Sequence, residues 1–161
     1  CQDNDISWID WSLLDTLDGQ ILADFVATLA RARHDYPVLR CRSFPYGDLE
    51  LAPGIADISW FDENAGPLSS DDWNKADAHL LTLRRAAPAS DGSICVMTLL
   101  LNATQQTRAF RLPPPTPLIQ MIDSANPGAP EMLVEAAELD VAAQSLVLLR
   151  GRLAPDAGGG A

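Results

Sequence analysis

Ile94-Cys95-Val96-Met97-Thr98-Leu99-Leu100-Leu101 is the longest apolar run of the chain. It is rich in Val, Ile, Thr and Leu, the types that fit a pleated, buried surface. Its length falls well short of the roughly 18 residues needed to cross a bilayer and suits a buried strand. Similar short runs lie on both sides. Upstream are Asp57-Ile58-Ser59-Trp60-Phe61 and Leu80-Leu81-Thr82-Leu83-Arg84. Downstream, residues 107–112 alternate polar and apolar, and residues 118–122 and 145–149 complete the set. Pro113-Pro114-Pro115 and Asn126-Pro127-Gly128 are firm breaks between them. Several short strands at this spacing predict a mostly β fold, an antiparallel β-sandwich over residues 45–153. Residues 131–143 are rich in Ala and Glu and permit a helix. The tail, residues 154–161, ends Gly-Gly-Gly-Ala and is expected to be disordered.

Ahead of the strands the periodicity changes. Ile21, Leu22, Phe25, Val26 and Leu29 form one apolar stripe of a helix over about residues 19–34. Asp18 is a suitable N-cap, and Arg31, Arg33 and His34 suit the negative end of the helix dipole. Pro37 forbids continuation. Residues 1–18 read as a polar loop holding two tryptophans three residues apart. The shift from helix to strands places a domain boundary near residues 42–47.

Of the 161 residues, 47% are hydrophobic, enough for a packed core. Acidic residues number 22 against 11 basic ones, a formal net charge of −11. That field repels a phosphate backbone, so nucleic acid is not an expected partner. Nothing apolar is long enough to make a membrane one. The three cysteines, Cys1, Cys41 and Cys95, show neither a CxxC pair nor zinc spacing, which fits free thiols in a reducing cytoplasm. No cluster calls for a metal or a cofactor. The chain begins at Cys1 without an initiating Met, so it is expected to start inside a longer protein; a lipidated Cys1 is the competing reading.

Cys1-Gln2-Asp3-Asn4-Asp5-Ile6-Ser7-Trp8-Ile9-Asp10-Trp11 resembles the CQDNE-I-S-W-x-D-W segment of isoamylase-type bacterial glycogen debranching enzymes, in the α-amylase superfamily. Residues 29–40 are similar to that family's last barrel helix. Residues 57–61 with 68–73 resemble the stretch opening its C-terminal β domain. Leu99-Leu100-Leu101-Asn102-Ala103 matches its L-L-x-N-A strand, and residues 143–149 match its closing strand. The five matches run in order. Asp5 in place of Glu, the His34-Asp35-Tyr36 junction and Gln144 in place of Arg depart from the pattern.

The resemblance implies that residues 1–44 are the strand-8 loop and last helix of a catalytic (β/α)₈ barrel, followed by an accessory sandwich. It implies hydrolysis of α-1,6 branch linkages in glycogen or limit dextrin. That retaining chemistry needs a carboxylate nucleophile and a carboxylic acid about 5–5.5 Å apart. In the family these lie upstream of the CQDN segment, so no catalytic residue is expected in this chain. Asp71, Asp72, Asp10, Asp15, Glu135 and Glu138 are expected on solvated faces, turns and caps. Loops after barrel strands build an active-site face. Asp3 and Asn4 are therefore candidates to bind glucose hydroxyls, and Trp8 and Trp11 to stack on sugar rings. The structural alternative has both tryptophans packed under the loop, with Asp3 and Asn4 satisfying turn amides. The competing functional reading is a stand-alone carbohydrate-binding or interaction module.

Overall fold

The run around Val96 becomes the centre of a sheet in the computed structural model, which describes residues 2–40 and 43–154. The readings of Cys1, Cys41 and residues 155–161 lie outside the described residues. Contacts divide the chain into two units, Cys1–Asp35 and Tyr36–Ala161.

The first unit holds a 3₁₀ turn, Trp11–Asp15, and the helix α1, Leu17–Asp35. Asp10 caps the turn, accepting from the Ser12 amide at 3.0 Å and its hydroxyl at 2.6 Å. α1 starts earlier than the stripe predicts. Thr16, not Asp18, is its cap: the Thr16 hydroxyl accepts from the Gly19 amide at 3.1 Å. Asp18 lies inside the first turn, where a negative charge suits the dipole. The chain turns so tightly here that a Cβ on Gly19 would lie 1.9 Å from the Leu13 carbonyl oxygen, so only glycine fits. Ile21, Leu22, Val26 and Leu29 of the stripe are exposed, Leu22 by 62% and Val26 by 55%. Each large apolar side chain left in water forgoes roughly 1.5–3 kcal/mol of burial, and a contiguous patch of them is rare on soluble monomers. The chain should therefore enhance the fluorescence of a hydrophobic dye. Leu22→Gln with Val26→Gln should lower that signal without changing the β circular dichroism; an unchanged signal would show that the dye reports another surface.

In the second unit all strand pairs are antiparallel. After a 3₁₀ turn at Pro37–Leu39 come β1 (Glu50–Ala52), β2 (Ile55–Ala56) and β3 (Ile58–Phe61). A 3₁₀ turn at Asp72–Asn74 leads to β4 (Leu80–Pro88), β5 (Ile94–Asn102) and β6 (Arg108–Arg111). The chain ends with β7 (Leu118–Asp123), β8 (Met132–Val134), β9 (Glu138–Val141) and β10 (Ser145–Leu153). Six strands form one sheet in the order β3-β4-β5-β10-β7-β8, and β1-β2 and β6-β9 form two ribbons. The unit is thus mostly β and antiparallel, as expected.

Residues 131–143 correct the sequence reading. They hold β8 and β9 rather than a helix, because ladder partners far along the chain outweigh the local preference of Ala and Glu. β8 adds to β7, and β9 pairs with β6, which buries Val134 and Val141. β4 and β10 run longer than the apolar runs that announce them. Gly92, with φ at +80°, makes the turn from β4 to β5, where Asp91 accepts from the Ser93 amide and hydroxyl at 3.1 and 2.6 Å.

Register sets what is buried. Thr82, Arg84 and Ala86 of β4 face Leu100, Thr98 and Val96 of β5, which in turn face Val147, Leu149 and Gly151 of β10. At one end of this face Leu100, Val147 and Leu149 cluster with Phe110 and Val141 of the β6-β9 ribbon, and with Leu112, Leu118 and Val134. At the other end Ala86 and Val96 cluster with Ile55 of β2. The turn at Pro37–Leu39 packs on β4 and β5 and buries Val38.

Candidate functional site

The loop singled out from sequence is held by its own polar groups. The Asn4 side-chain oxygen accepts from the Ile6 amide at 3.2 Å, and its main-chain carbonyl accepts from the Ser7 and Trp8 amides at 3.0 and 3.2 Å. The Ser7 hydroxyl donates to the Gln2 carbonyl and, at 3.0 Å, to that of Asn4. The Trp8 indole donates to the Asp3 carboxylate at 2.6 Å. Asp3, Asn4 and Trp8 thus come together in one turn, while Trp11 begins the following 3₁₀ turn. Trp8 and Trp11 are 62% and 70% exposed, so aromatic surface is presented here. One Asp3 oxygen and the Asn4 side-chain oxygen are already engaged.

A second place is a cavity of about 700 Å³ beside the edge strand β3 and the start of β4, within the size range of ligand pockets. Its wall is the Asp72–Asn74 turn. The Asp72 carboxylate accepts from the Lys75 ammonium at 2.7 Å, and from the Ser69 amide and hydroxyl at 2.7 and 2.6 Å. Those bonds, Lys75 first, hold the Asp72 carboxyl well below the usual carboxylate range, so it stays ionised at neutral pH. The turn is tied to β3 by the Leu68 amide, which donates to the Trp60 carbonyl at 3.0 Å. It brings Trp73 edge-on to Trp60, ring centres 5.2 Å apart and planes at 82°. Trp73 keeps 54% of its surface exposed beside the cavity.

Asp62, Asp77, His79 and Arg108 also line the space. Asp62 is committed to its own turn, accepting from the Asn64 and Gly66 amides at 2.9 and 2.7 Å. Among the described residues, His79 and Arg108 show no side-chain hydrogen bond or ion pair, while Asp77 interacts with the Lys75 charge. The sequence puts Asp72 on a solvated face, turn or cap, and brings neither His79 nor Arg108 to Trp73. Trp60 and Asp72-Trp73 fall there within one match, residues 57–61 with 68–73, with no sign of a shared pocket. The grouping depends on β3 meeting β4 and on Arg108 returning after β5, which no local pattern announces.

Among the described residues no group of three or more His, Cys, Asp or Glu converges to hold a metal ion, and no helix is long and apolar enough to cross a membrane.

No family model matches the chain. The glycogen debranching enzymes of Salmonella typhi, Salmonella heidelberg (strain SL476) and Salmonella enteritidis PT4 (strain P125109) are each 34% identical to it over 73 residues. That stretch is 45% of this chain and 10% of each relative. The chain thus matches about a tenth of the length of these relatives, and over that stretch it is similar to glycogen debranching enzymes.

Proposed function

We propose that this chain is part of a cytoplasmic glycoside hydrolase of the isoamylase type that cleaves α-1,6 branch linkages in glycogen or limit dextrin. The observation that carries the reading is the 73-residue similarity to glycogen debranching enzymes. The antiparallel β unit and the helix ahead of it are consistent with an accessory sandwich after the end of a (β/α)₈ barrel. In this reading residues 1–44 close the barrel and residues 45–153 form the sandwich. The nucleophile and acid belong to a part of the parent protein outside this chain. Asp3, Asn4, Trp8 and Trp11 contribute to the glucan-facing rim, Trp8 and Trp11 through the aromatic surface they expose. A retaining hydrolase needs two carboxyl groups facing one bond, and the family pattern assigns neither to residues 1–161.

The isolated chain is accordingly expected to release no reducing ends from branched limit dextrin. The native protein, captured with an antibody to this region, should be far larger than 17.3 kDa and should release them. Turnover by the isolated chain would sink the placement of catalysis elsewhere. A native product of 17.3 kDa would sink the parent-enzyme reading. That result would leave a carbohydrate-binding module without catalysis, a reading favoured by the exposed Trp73 beside its cavity.

A further inference from the structure

We propose that the cavity beside Trp73 is a saccharide-binding site of the β unit, separate from the Asp3–Trp8 turn, and that it takes a neutral α-glucan oligosaccharide. Three independent features point to a sugar. The first is an aromatic ring fixed in place: Trp60 meets Trp73 edge-to-face, and more than half of Trp73 stays open. A rigid exposed indole offers a large apolar face at little entropic cost, and it suits the C–H face of a pyranose. The second is polar equipment left unused by the fold. Among the described residues, His79 and Arg108 line the cavity without side-chain partners and Asp77 faces the Lys75 charge, supplying acceptors and donors for hydroxyl groups. The Lys75–Asp72 pair on the same wall adds both kinds.

The third feature is charge. Asp62, Glu63, Asp72 and Asp77 outnumber Lys75 and Arg108 around the space, which opposes a phosphate or carboxylate ligand. No three of the acidic and histidine side chains converge as metal ligands among the described residues, so a divalent cation does not fit either. A neutral, hydroxyl-rich ligand meets all three conditions. The choice of an α-glucan among such ligands rests on the function proposed above; the choice of a sugar does not.

The test is calorimetric titration of the 161-residue chain with maltohexaose and with cellohexaose. Maltohexaose should bind saturably at millimolar concentration or below. Trp73→Ala should weaken it at least about tenfold, or ~1.4 kcal/mol. Trp73→Phe should recover part of the affinity, and Asp77→Asn or Arg108→Gln should each weaken it several-fold. Phe44→Ala, at an exposed aromatic away from the cavity lining, should leave it unchanged. Circular dichroism confirms that each variant is folded. Absence of saturable binding to either sugar overturns the site, as does binding that survives Trp73→Ala or disappears with Phe44→Ala. Preferential binding of cellohexaose that depends on Trp73 overturns the α-glucan assignment while keeping the site. The native-size measurement tests the parent enzyme separately.

Discussion

Replacing Arg84 by methionine should destabilise the chain by about 1–3 kcal/mol, because three part-buried acceptors lose a charged donor while a buried charge is relieved. Arg84 lies on the covered face of β4 and is only 4% exposed. Its guanidinium donates to the Pro114 carbonyl at 2.8 Å, to the Gly54 carbonyl at 2.7 Å and to the Ser59 hydroxyl at 3.1 Å. It also lies over the Phe61 ring, 5.0 Å from the centre. Gly54 belongs to the turn of the β1-β2 ribbon, and Pro114 follows β6, so one side chain ties both covering segments to the sheet.

Arg84's acceptors are carbonyl and hydroxyl oxygens rather than a carboxylate, and burial pushes its pKa down. The charge is held by dipoles and a ring face, the arrangement for which a planar, multi-donor group is suited. Methionine fills comparable volume, so the loss measures hydrogen bonding more than cavity formation. Arg84→Lys should fall between the two, because a single ammonium does not reach both carbonyls with the fork geometry of a guanidinium. Urea unfolding followed by circular dichroism checks both variants. A methionine variant within about 0.5 kcal/mol of the parent would show that the bonds to Gly54 and Pro114 add nothing net.

Asn102→Asp should cost at least about 3 kcal/mol at pH 7, the scale for an unpaired buried charge. Asn102 ends β5 and is 2% exposed. Its amide nitrogen donates to the carbonyls of Gln106 at 2.8 Å, Val141 at 3.0 Å and Ala142 at 2.9 Å. Its oxygen accepts from the Thr104 amide at 2.9 Å and hydroxyl at 2.8 Å. The side chain therefore pins β5 to the approach to β6 and to the end of β9. Aspartate has nearly the same shape but turns an oxygen toward three carbonyl oxygens.

Its carboxyl would titrate above its unfolded value of about 3.9 in the folded state, since only the protonated form offers a donor. A folded pKa that is raised means the native state binds more protons, so stability rises as pH falls. The deficit should shrink between pH 7 and pH 5, while Asn102→Ala shows no such recovery. Equal stability of Asn102→Asp and the parent at pH 7 would refute the role given to the amide.

The apolar runs at 94–101, 80–84 and 118–122 are legible in the sequence because strands buried on a face must be locally apolar. α1 is legible because its stripe recurs at helical spacing. The resemblance to a debranching family is legible for a similar reason, since it is carried by contiguous residues. Asp10 at a turn cap and Asp72 in a turn are also readable, because their partners lie within three residues. Arg84 reads only as the polar end of a strand, since Gly54 and Pro114, each thirty residues away, are what make it a buried tie.

Residues 131–143 show the limit most plainly. Their composition permits a helix, and pairing with β7 and β6 makes them strands. The Trp73 cavity belongs with them: Arg108 stands far along the chain from Asp62, Trp73 and His79 until the return from β5 brings it to their edge. Local sequence determined where this chain is helical, where most of its strands lie and what its turns contain, because those depend on periodicity and on hydrogen bonds a few residues long. Tertiary structure alone decided which strands are neighbours, what the covered face buries and where unused polar groups meet an open indole, because those depend on ladders that close over tens of residues.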